Sequence, residues 1–523
     1  MTGPDLVVIG GGPRALQALL SLDDQLADLG ASGVLVEVHD PAALGTGAVW
    51  SPTQAPHLLT PFDATPVDFS SRSGLVPDSY REWEERSGSV AVAHPPRARV
   101  GEYLRWVFER LSESPRLSLR HVDERVESVK RVMGGWQVVD ASGASTEARE
   151  VLLCTGQVGA AGPDHAALAT EHGNAGAGRR VAVRGAALTA MDVVLTLTAG
   201  RGSQWQEAPV GSGRVWLGSG REPARITLVT GPQELMMPRP VLHDPLVTAA
   251  VTSVTRRWKP ESSPDEAWWT VLVDAAVAAA ATQGRVVERS AALAVLDEGR
   301  GRGDWKVRWE LDLARATGEY ADLDVIGEAA WWLGRAWVAG QVSMVASLAR
   351  SHKVEEEWAQ WRARSARLRC WAFGPPEETV RRLLALGEAG VLEVSETEPE
   401  DAHLAIDAAS APPGVRAEVW STVPDALWAA LLHEGHASIR PGDRGVWTLS
   451  DGVCVRQDGQ PSLGLSALGS PTEDPVIGHD IWLRKLHQDV DRWAEAFAGR
   501  VAGAPASVVE AITPDTAGAG SSA

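Results

Sequence analysis

The sequence predicts an α/β protein: parallel sheets flanked by helices, built from two units of one kind, with a mainly helical stretch inserted. Three observations predict it. Leu6-Val7-Val8-Ile9 is a β-branched run of the kind buried in a parallel sheet. Gly10-Gly11-Gly12-Pro13-Arg14-Ala15 follows directly, ahead of the helix-spaced Leu16, Leu19 and Leu20. Val34 to His39 reads as the next strand and ends at Asp40. Further on, Arg180 to Arg184, Gly185-Ala186-Ala187-Leu188 and Arg225 to Thr230 repeat the order strand, turn, helix, strand.

The first turn is G-x-G-x-x-A with a strand before it and a helix after it, the context that gives the pattern meaning. Gly10 permits the sharp turn, and Gly12 leaves room for a pyrophosphate to approach backbone N–H groups. Ala15 lets the helix pack close to the strand, with its N-terminus toward the phosphates. Gly11, Pro13 and Arg14 complete the turn, and Asp40 stands where a carboxylate accepts hydrogen bonds from a ribose. A glycine-rich turn in an unrelated α/β domain leaves Asp40 unexplained. The unit therefore reads as Rossmann-like and dinucleotide-binding. The second unit is worn. Gly185 and Ala190 keep their places, but Ala187 puts a methyl where a pyrophosphate would approach. Its second strand ends at Thr230-Gly231-Pro232, with neither an acid for a ribose nor an arginine for a 2′-phosphate. A retained scaffold and a working nicotinamide site both remain open on these residues.

At 523 residues the chain exceeds one ordinary core, and two or three domains are expected. A hydrophobic content of 44% with 22% charged residues describes a folded globular protein. The net charge of −19 argues against nucleic acid or an anionic membrane surface as partner, while leaving room for a local arginine-lined pocket. Cys154, Cys370 and Cys454 make neither a disulfide framework nor a metal-ligand spacing. The chain enters a strand at once, which predicts no signal peptide, and the longest apolar stretch, Trp268 to Ala281, is short for a bilayer and broken by Asp274. A cytoplasmic location is the expectation. The 22 Trp beside 5 Phe and 3 Tyr point to cores and helix contacts, with a few rings left for a pocket.

Taken in order, Leu44 to Trp50 is a glycine-broken loop at the carboxyl ends of the first sheet, and His57 to Phe62 is too polar and proline-rich for a plain helix. Pro95-Pro96-Arg97-Ala98-Arg99 leads into a helix through Phe108. Leu117–His121, Arg125–Arg131 and Trp136–Val139 suggest a small antiparallel excursion that turns at Gly134-Gly135. Val151 to Gly156 returns to the first sheet, with Cys154 as an inert buried thiol. From about Pro238 to Pro399 the pattern is mainly helical. Trp358, Trp361, Leu368 and Trp371 mark a docked amphipathic helix, and Pro375-Pro376 opens another that stops at Gly390. Leu404 to Ala409 is a further buried strand. In His433-Glu434-Gly435-His436 the histidines are three apart, which excludes a zincin helix and fits a helix C-terminus. Val453 to Leu468 turns at Asp458-Gly459, a last helix carries Trp482, Leu486, Val490 and Trp493, and the chain from about Thr513 has the composition of a disordered tail.

These pieces resemble the FAD/NAD(P)-binding oxidoreductases with two dinucleotide-binding domains, and within them a bacterial branch related to the N-hydroxylating flavin monooxygenases. The matching stretches are VVIGGGPRAL, HDPAALGTGAVW, PPRARVGEYL, VLLCTGQ, VAVRGAALTAMDVV and ALGSPTED, in that order along nearly the whole chain. The resemblance implies a three-layer α/β fold with two Rossmann-like domains, the first discontinuous. The limits are then 1–160 for the first part of an FAD-binding domain, 178–350 for an NAD(P)-binding-like domain with helical insertion, and 351–400 for a helical segment. Residues 401–510 return to the FAD-binding domain, and 511–523 form the tail. FAD then occupies the N-terminal site, with Thr155 and Gly156 beside it and Gly469 and Thr472 approaching its flavin end. NADPH or NADH belongs to the second unit around Gly185, Ala187 and Ala190, where Ala187 and the missing basic residue depart from the family's pattern.

The activity implied is a flavin monooxygenase that uses NAD(P)H and O2 to oxygenate a small molecule, with N-hydroxylation of an amine as one form. The alternatives are an FAD-dependent dehydrogenase or oxidase with a degenerate nicotinamide site, and a non-catalytic flavin-binding protein. Such an enzyme needs a closed, dry pocket rather than a protein nucleophile. His57, in the loop expected near the flavin ring, is a candidate hydrogen-bond donor or proton relay, against the plainer reading of a loop histidine packed on prolines. Arg97 and Arg99 are candidates for FAD phosphates or an acidic substrate, against surface ion pairs, and Asp192 fits a helix dipole better than chemistry.

Overall fold

Two mainly parallel sheets carry the chain, and their central strands are buried. The computed structural model describes residues 3–503 except 158–162, 164, 170–176, 210–212, 241–243, 259–263, 302, 320, 352, 410–412, 416–424 and 479–485. The strands are β1 (Leu6–Ile9), β2 (Val34–His39), β3 (Leu117–Val122), β4 (Val126–Val132), β5 (Gly135–Asp140), β6 (Ser145–Ala148) and β7 (Glu150–Leu153). They continue as β8 (Arg180–Arg184), β9 (Gln204–Glu207), β10 (Arg214–Leu217), β11 (Arg225–Val229), β12 (Leu392–Ser395), β13 (Leu404–Asp407), β14 (Val453–Val455) and β15 (Pro461–Ala467).

The first sheet has the order β14-β15-β7-β1-β2-β3. β1 is parallel to both neighbours, with Leu6 opposite Val36 on one side and Glu150 on the other. Alternation along β1 sorts its side chains into two cores, as the pleat requires. Leu6 and Val8 face the helices Pro13–Leu29, Arg97–Leu111 and Asp489–Val501, while Val7 and Ile9 face the β4-β5-β6 sheet and the helix Ala426–His433. That is the expected three-layer arrangement. The second sheet, β12-β11-β8-β13, is parallel throughout. Its core sets Val181 and Val183 against the Leu188–Thr198 and Glu377–Glu388 helices. The α/β class with two Rossmann-like units is borne out.

Two expectations need correction. Leu117–His121 is not part of the antiparallel excursion: β3 lies parallel to β2, with Val34 opposite Leu117, and the excursion is β4-β5-β6 alone. Leu404–Asp407 does not return to the first sheet: β13 pairs with β8, so the crossing back falls after Asp407 rather than at 401. β14 and β15 make that return, joined antiparallel through a turn with Gly459 in the left-handed region and paired with β7.

Between β11 and β12 the chain is helical, from Pro245–Thr255 to Glu377–Glu388. Its core is built on indoles. Trp268, Trp332, Trp358 and Trp371 are buried, and Trp269 sits 4.8 Å from Trp361 and 6.2 Å from Trp337 between ring centres. Rings of this size bury much apolar area with few rotatable bonds, which suits a domain of long helices with alanine-rich faces. Among the described residues no helix is long and apolar enough to cross a membrane. Trp482 and the segment from Thr513 lie outside the described residues.

Candidate active site

The strand order reverses direction at β1, which has β2 on one side and β7 on the other. Such a switch point opens a crevice at the carboxyl ends of the strands. The first turn lies there. Gly10 has φ +94°, and a Cβ on it would overlap the Cys154 carbonyl at the end of β7. Both the backbone and its neighbour therefore demand glycine. Gly11 donates its N–H to Asp40 Oδ2 at 2.6 Å, and Asp40 Oδ1 accepts from Ala42 N–H at 2.7 Å. Asp40 thus stands at the end of β2 and ties it to the turn, and its remaining lone pairs are available to a ribose.

Gly12 is different. Its φ is −77°, which any residue adopts, and a Cβ there would meet nothing nearer than Gly47 Cα at 3.6 Å. Neither backbone strain nor protein packing demands glycine at this position. Open space beside a helix N-terminus is what remains. The helix Pro13–Leu29 has no side-chain cap and no acid in its first turn. In contrast Ser79, Asp244, Asp304, Asp324 and Asp425 each cap their own helices. An uncapped N-terminus with free approach presents backbone N–H groups and the positive end of the dipole to an anion.

The other residues expected around this crevice do meet there. Gly469 (φ +89°) packs on Arg14, which a Cβ would approach to 3.3 Å. Thr472 is buried and uses its hydroxyl to donate to the Gly469 carbonyl at 2.9 Å, closing the turn rather than facing a ligand. Thr155 Oγ1 accepts the Trp428 indole N–H at 3.0 Å, and Gly156 is left-handed at φ +70°.

The second sheet repeats the arrangement. β8 lies between β11 and β13, and Gly185 (φ +141°) would bring a Cβ to 3.2 Å from both the Ala408 carbonyl and Ala190. Ala187 takes the position of Gly12 with the same extended backbone (φ −103°), so its methyl costs nothing in conformation and only narrows the approach to the helix Leu188–Thr198. That helix is also uncapped and has no acid in its first turn. Beyond β11, Thr230 turns its hydroxyl onto the Gly231 and Ser395 carbonyls.

His57 lies at the seam with the second unit. Its buried ring is wedged between the domains, 3.3 Å from Thr196 Oγ1, with Gly200 so near that a Cβ would come within 3.3 Å of it. Thr196 also meets His165 Nδ1 at 2.8 Å, and Arg97 pairs with Asp192 across the same seam at 2.6 Å. Arg99 is held by Glu84 and Glu102. These arginines join structure to structure. Burial, helped by the charges of His165 and Arg382, pushes His57 down from 6.5 to about 4. The folded value lies below the unfolded one, so the unfolded chain binds this proton first and stability falls as pH drops from 6.5 toward 4. The loss expected from His57 is on the order of 3 kcal/mol. Urea titrations at pH 7.5 and 4.5 should show the pH dependence shallower in His57→Gln than in the parent.

A feature the sequence did not reveal completes the site. A cavity of about 1240 Å³ opens between the first domain and the helical insertion. The first domain supplies Pro61, Phe62 and His94, and the loop after Thr472 supplies Glu473, Ile477 and Gly478. The insertion supplies indoles, among them Trp331, Trp332, Trp337 and Trp361, together with Arg239 and Arg335. Binding pockets commonly occupy 300–1,000 Å³, so this one has room for a ring system and a second small molecule. The sequence held one signal for it. Arg335 is the lone charge between Glu328 and the end of the helix Val325–Leu348, in a stretch reading AAWWLGRAWVAG.

Residues 7–158 match a family model described as FAD-NAD(P)-binding. The nitrosuccinic acid synthase of Aspergillus oryzae is 26% identical over 257 residues, 42% of this chain and 39% of that protein. The match thus spans about two fifths of the relative's length. Among solved structures, the ornithine N-hydroxylase of Kutzneria sp. 744 superposes with a TM-score of 0.49 at 13% identity, over 95% of this chain and 99% of the other. Cyclohexanone monooxygenase from Rhodococcus sp. Phi1, bound to NADP+, gives 0.45 at 16% identity, over 96% and 84%.

Proposed function

We propose that the chain is an FAD-dependent monooxygenase of the cytoplasm, which uses NADPH or NADH and O2 to oxygenate a small molecule, N-hydroxylation of an amine being its favoured form. The observation that carries the proposal is Gly12: a glycine that neither its own backbone nor its neighbours require, at an uncapped helix N-terminus in the switch-point crevice. The sequence match to a nitrosuccinic acid synthase supports the N-oxygenating form, since that protein's named product carries an oxygenated nitrogen. Gly10 to Ala15 would hold the FAD pyrophosphate, Asp40 the ribose, and Thr155, Gly156 and Gly469 would flank the cofactor. Bound FAD supplies the redox chemistry. The protein's own part is to orient the ring, to present an indole-walled cavity, and to admit substrate on one side of it.

Ala187 favours a second reading, a dehydrogenase or oxidase that takes reducing equivalents from its substrate and makes little use of the nicotinamide site. One experiment separates the two. FAD-loaded protein mixed anaerobically with NADPH or NADH should lose its yellow colour, and oxygen uptake should then depend on an added amine. Ala187→Gly should lower the nicotinamide concentration giving half-maximal bleaching by roughly five- to tenfold, the equivalent of about 1 kcal/mol. Protein that dithionite bleaches but neither nicotinamide does, in parent and variant alike, leaves the dehydrogenase reading standing.

A further inference from the structure

Six arginines line the cavity, and they divide into two groups. Arg285 and Arg315 pair with Asp322 and Glu328, and Arg444 with Asp474, while Arg369 is exposed. Among the described residues neither Arg239 nor Arg335 forms an ion pair within 4 Å, although the Asp63 carboxylate in the same wall acts on Arg239 from farther away. Each is nonetheless fixed in place. Arg239 lies over the Phe373 ring at 5.4 Å, and its backbone N–H donates to the Pro375 carbonyl at 3.0 Å. Arg335 lies over Trp331 at 4.8 Å and donates one Nη to the Trp371 carbonyl at 2.9 Å, while its Nε is buried without an acceptor.

We propose that Arg239 and Arg335 form a carboxylate clamp and that the substrate of this site is a small organic acid, its carboxylate held by the two guanidiniums in the indole-walled cavity. The inference deepens the proposed function and rests on it for the word substrate. Two like charges lining one aromatic-walled cavity are costly unless an anion joins them. Burial accordingly pushes Arg239 down to about 10 and Arg335 to about 9, the charge of Arg239 adding to the push on Arg335. The planar fork of a guanidinium matches a carboxylate in two parallel hydrogen bonds, and the rings beneath these two hold the forks ready. Phosphate is the other anion to consider, but the dinucleotide phosphates have their own receptors. The uncapped helix N-termini at Gly12 and Ala187 lie outside the cavity wall, as do all of Gly10 to Ala15 and Gly185 to Ala190. The arginine pair therefore serves the part of the reaction volume that the phosphates do not occupy.

The test is calorimetric titration of the chain, with and without FAD, using succinate, its neutral isostere succinamide, and inorganic phosphate as probes. Succinate should bind and raise the melting temperature, and succinamide should do neither. Arg335→Met and Arg239→Met should each weaken succinate at least tenfold, with Arg335→Lys intermediate because it keeps the charge and loses the fork. The ligand-free Arg335→Met protein should melt no lower than the parent, since shedding a buried charge without an ion-pair partner offsets the loss of its hydrogen bond to the Trp371 carbonyl. Equal binding of succinate and succinamide overturns the proposal, as does phosphate binding tighter than succinate, or succinate binding that neither methionine variant weakens. FAD loading is read separately from its absorbance. A chain that binds succinate through the arginines but takes up no FAD supports the clamp and defeats the proposed function, and a flavoprotein blind to succinate does the reverse.

Discussion

Gly12→Ala should strip the chain of FAD while leaving it folded. Few sites allow the two effects to be separated so cleanly. At Gly10 they cannot be: its φ of +94° and the adjacent Cys154 carbonyl mean that any side chain damages the fold itself. At Gly12 a methyl meets only ordinary van der Waals contact with Gly47, and φ −77° suits alanine. The new methyl instead takes up the space through which a pyrophosphate reaches the N–H groups of the Pro13–Leu29 helix. We expect the unfolding midpoint in urea to stay near that of the parent while the FAD dissociation constant rises at least tenfold, at least about 1.4 kcal/mol. Ala187, the same substitution already present in the second unit with the same backbone conformation, shows that the fold accepts it.

Asp474→Ala should be the most damaging change for stability away from the turns. Asp474 is 2% exposed, and its carboxylate receives the Arg444 guanidinium through two hydrogen bonds at 2.8 and 3.0 Å, the Arg444 backbone N–H at 2.9 Å and Arg362 at 2.6 Å. Burial by itself would raise this carboxyl, but the two arginines outweigh it and hold it below its ordinary value. Removing it leaves two guanidiniums in the interior with one anion fewer, a change that typically costs about 3–5 kcal/mol. The residue also adopts φ +84°, a conformation alanine disfavours and asparagine tolerates. Asp474→Asn should therefore lose less than Asp474→Ala in chemical denaturation. The effect should reach the cavity too, because this loop carries Glu473, Ile477 and Gly478 in the cavity wall and is pressed so closely on Gly445 that a Cβ there would overlap the Glu473 carbonyl.

The features legible in the sequence are those that local chemistry determines. Gly10 and Gly12, the strand before them, Asp40 after β2 and the substitution at Ala187 could be read because each lies within a few residues of the geometry it serves. What failed to read was non-local. Leu404–Asp407 has the composition of a buried strand, but nothing in four residues says which of the two large sheets it joins, and the pairing with β8 is settled 223 residues away. Leu117–Val122 alternates like an antiparallel edge because it is an edge, half exposed, and only its partner β2 makes it parallel. His57, Arg97 and Asp192 sit at a seam between domains, where a loop and a helix far apart in the chain decide their roles. The cavity gathers residues from Pro61 to Gly478, so no window of sequence contains it. Arg335 alone gave a hint, as a charge set in an apolar helix.

The most direct measurement is an equilibrium titration of the folded, flavin-free chain with FAD, followed by quenching of flavin fluorescence. The account predicts saturation at one FAD per chain, abolished or shifted at least tenfold in Gly12→Ala and untouched in Arg335→Met. A parent chain that is fully folded by its circular dichroism and shows no saturable quenching contradicts it, and so does a Gly12→Ala variant that binds FAD as tightly as the parent.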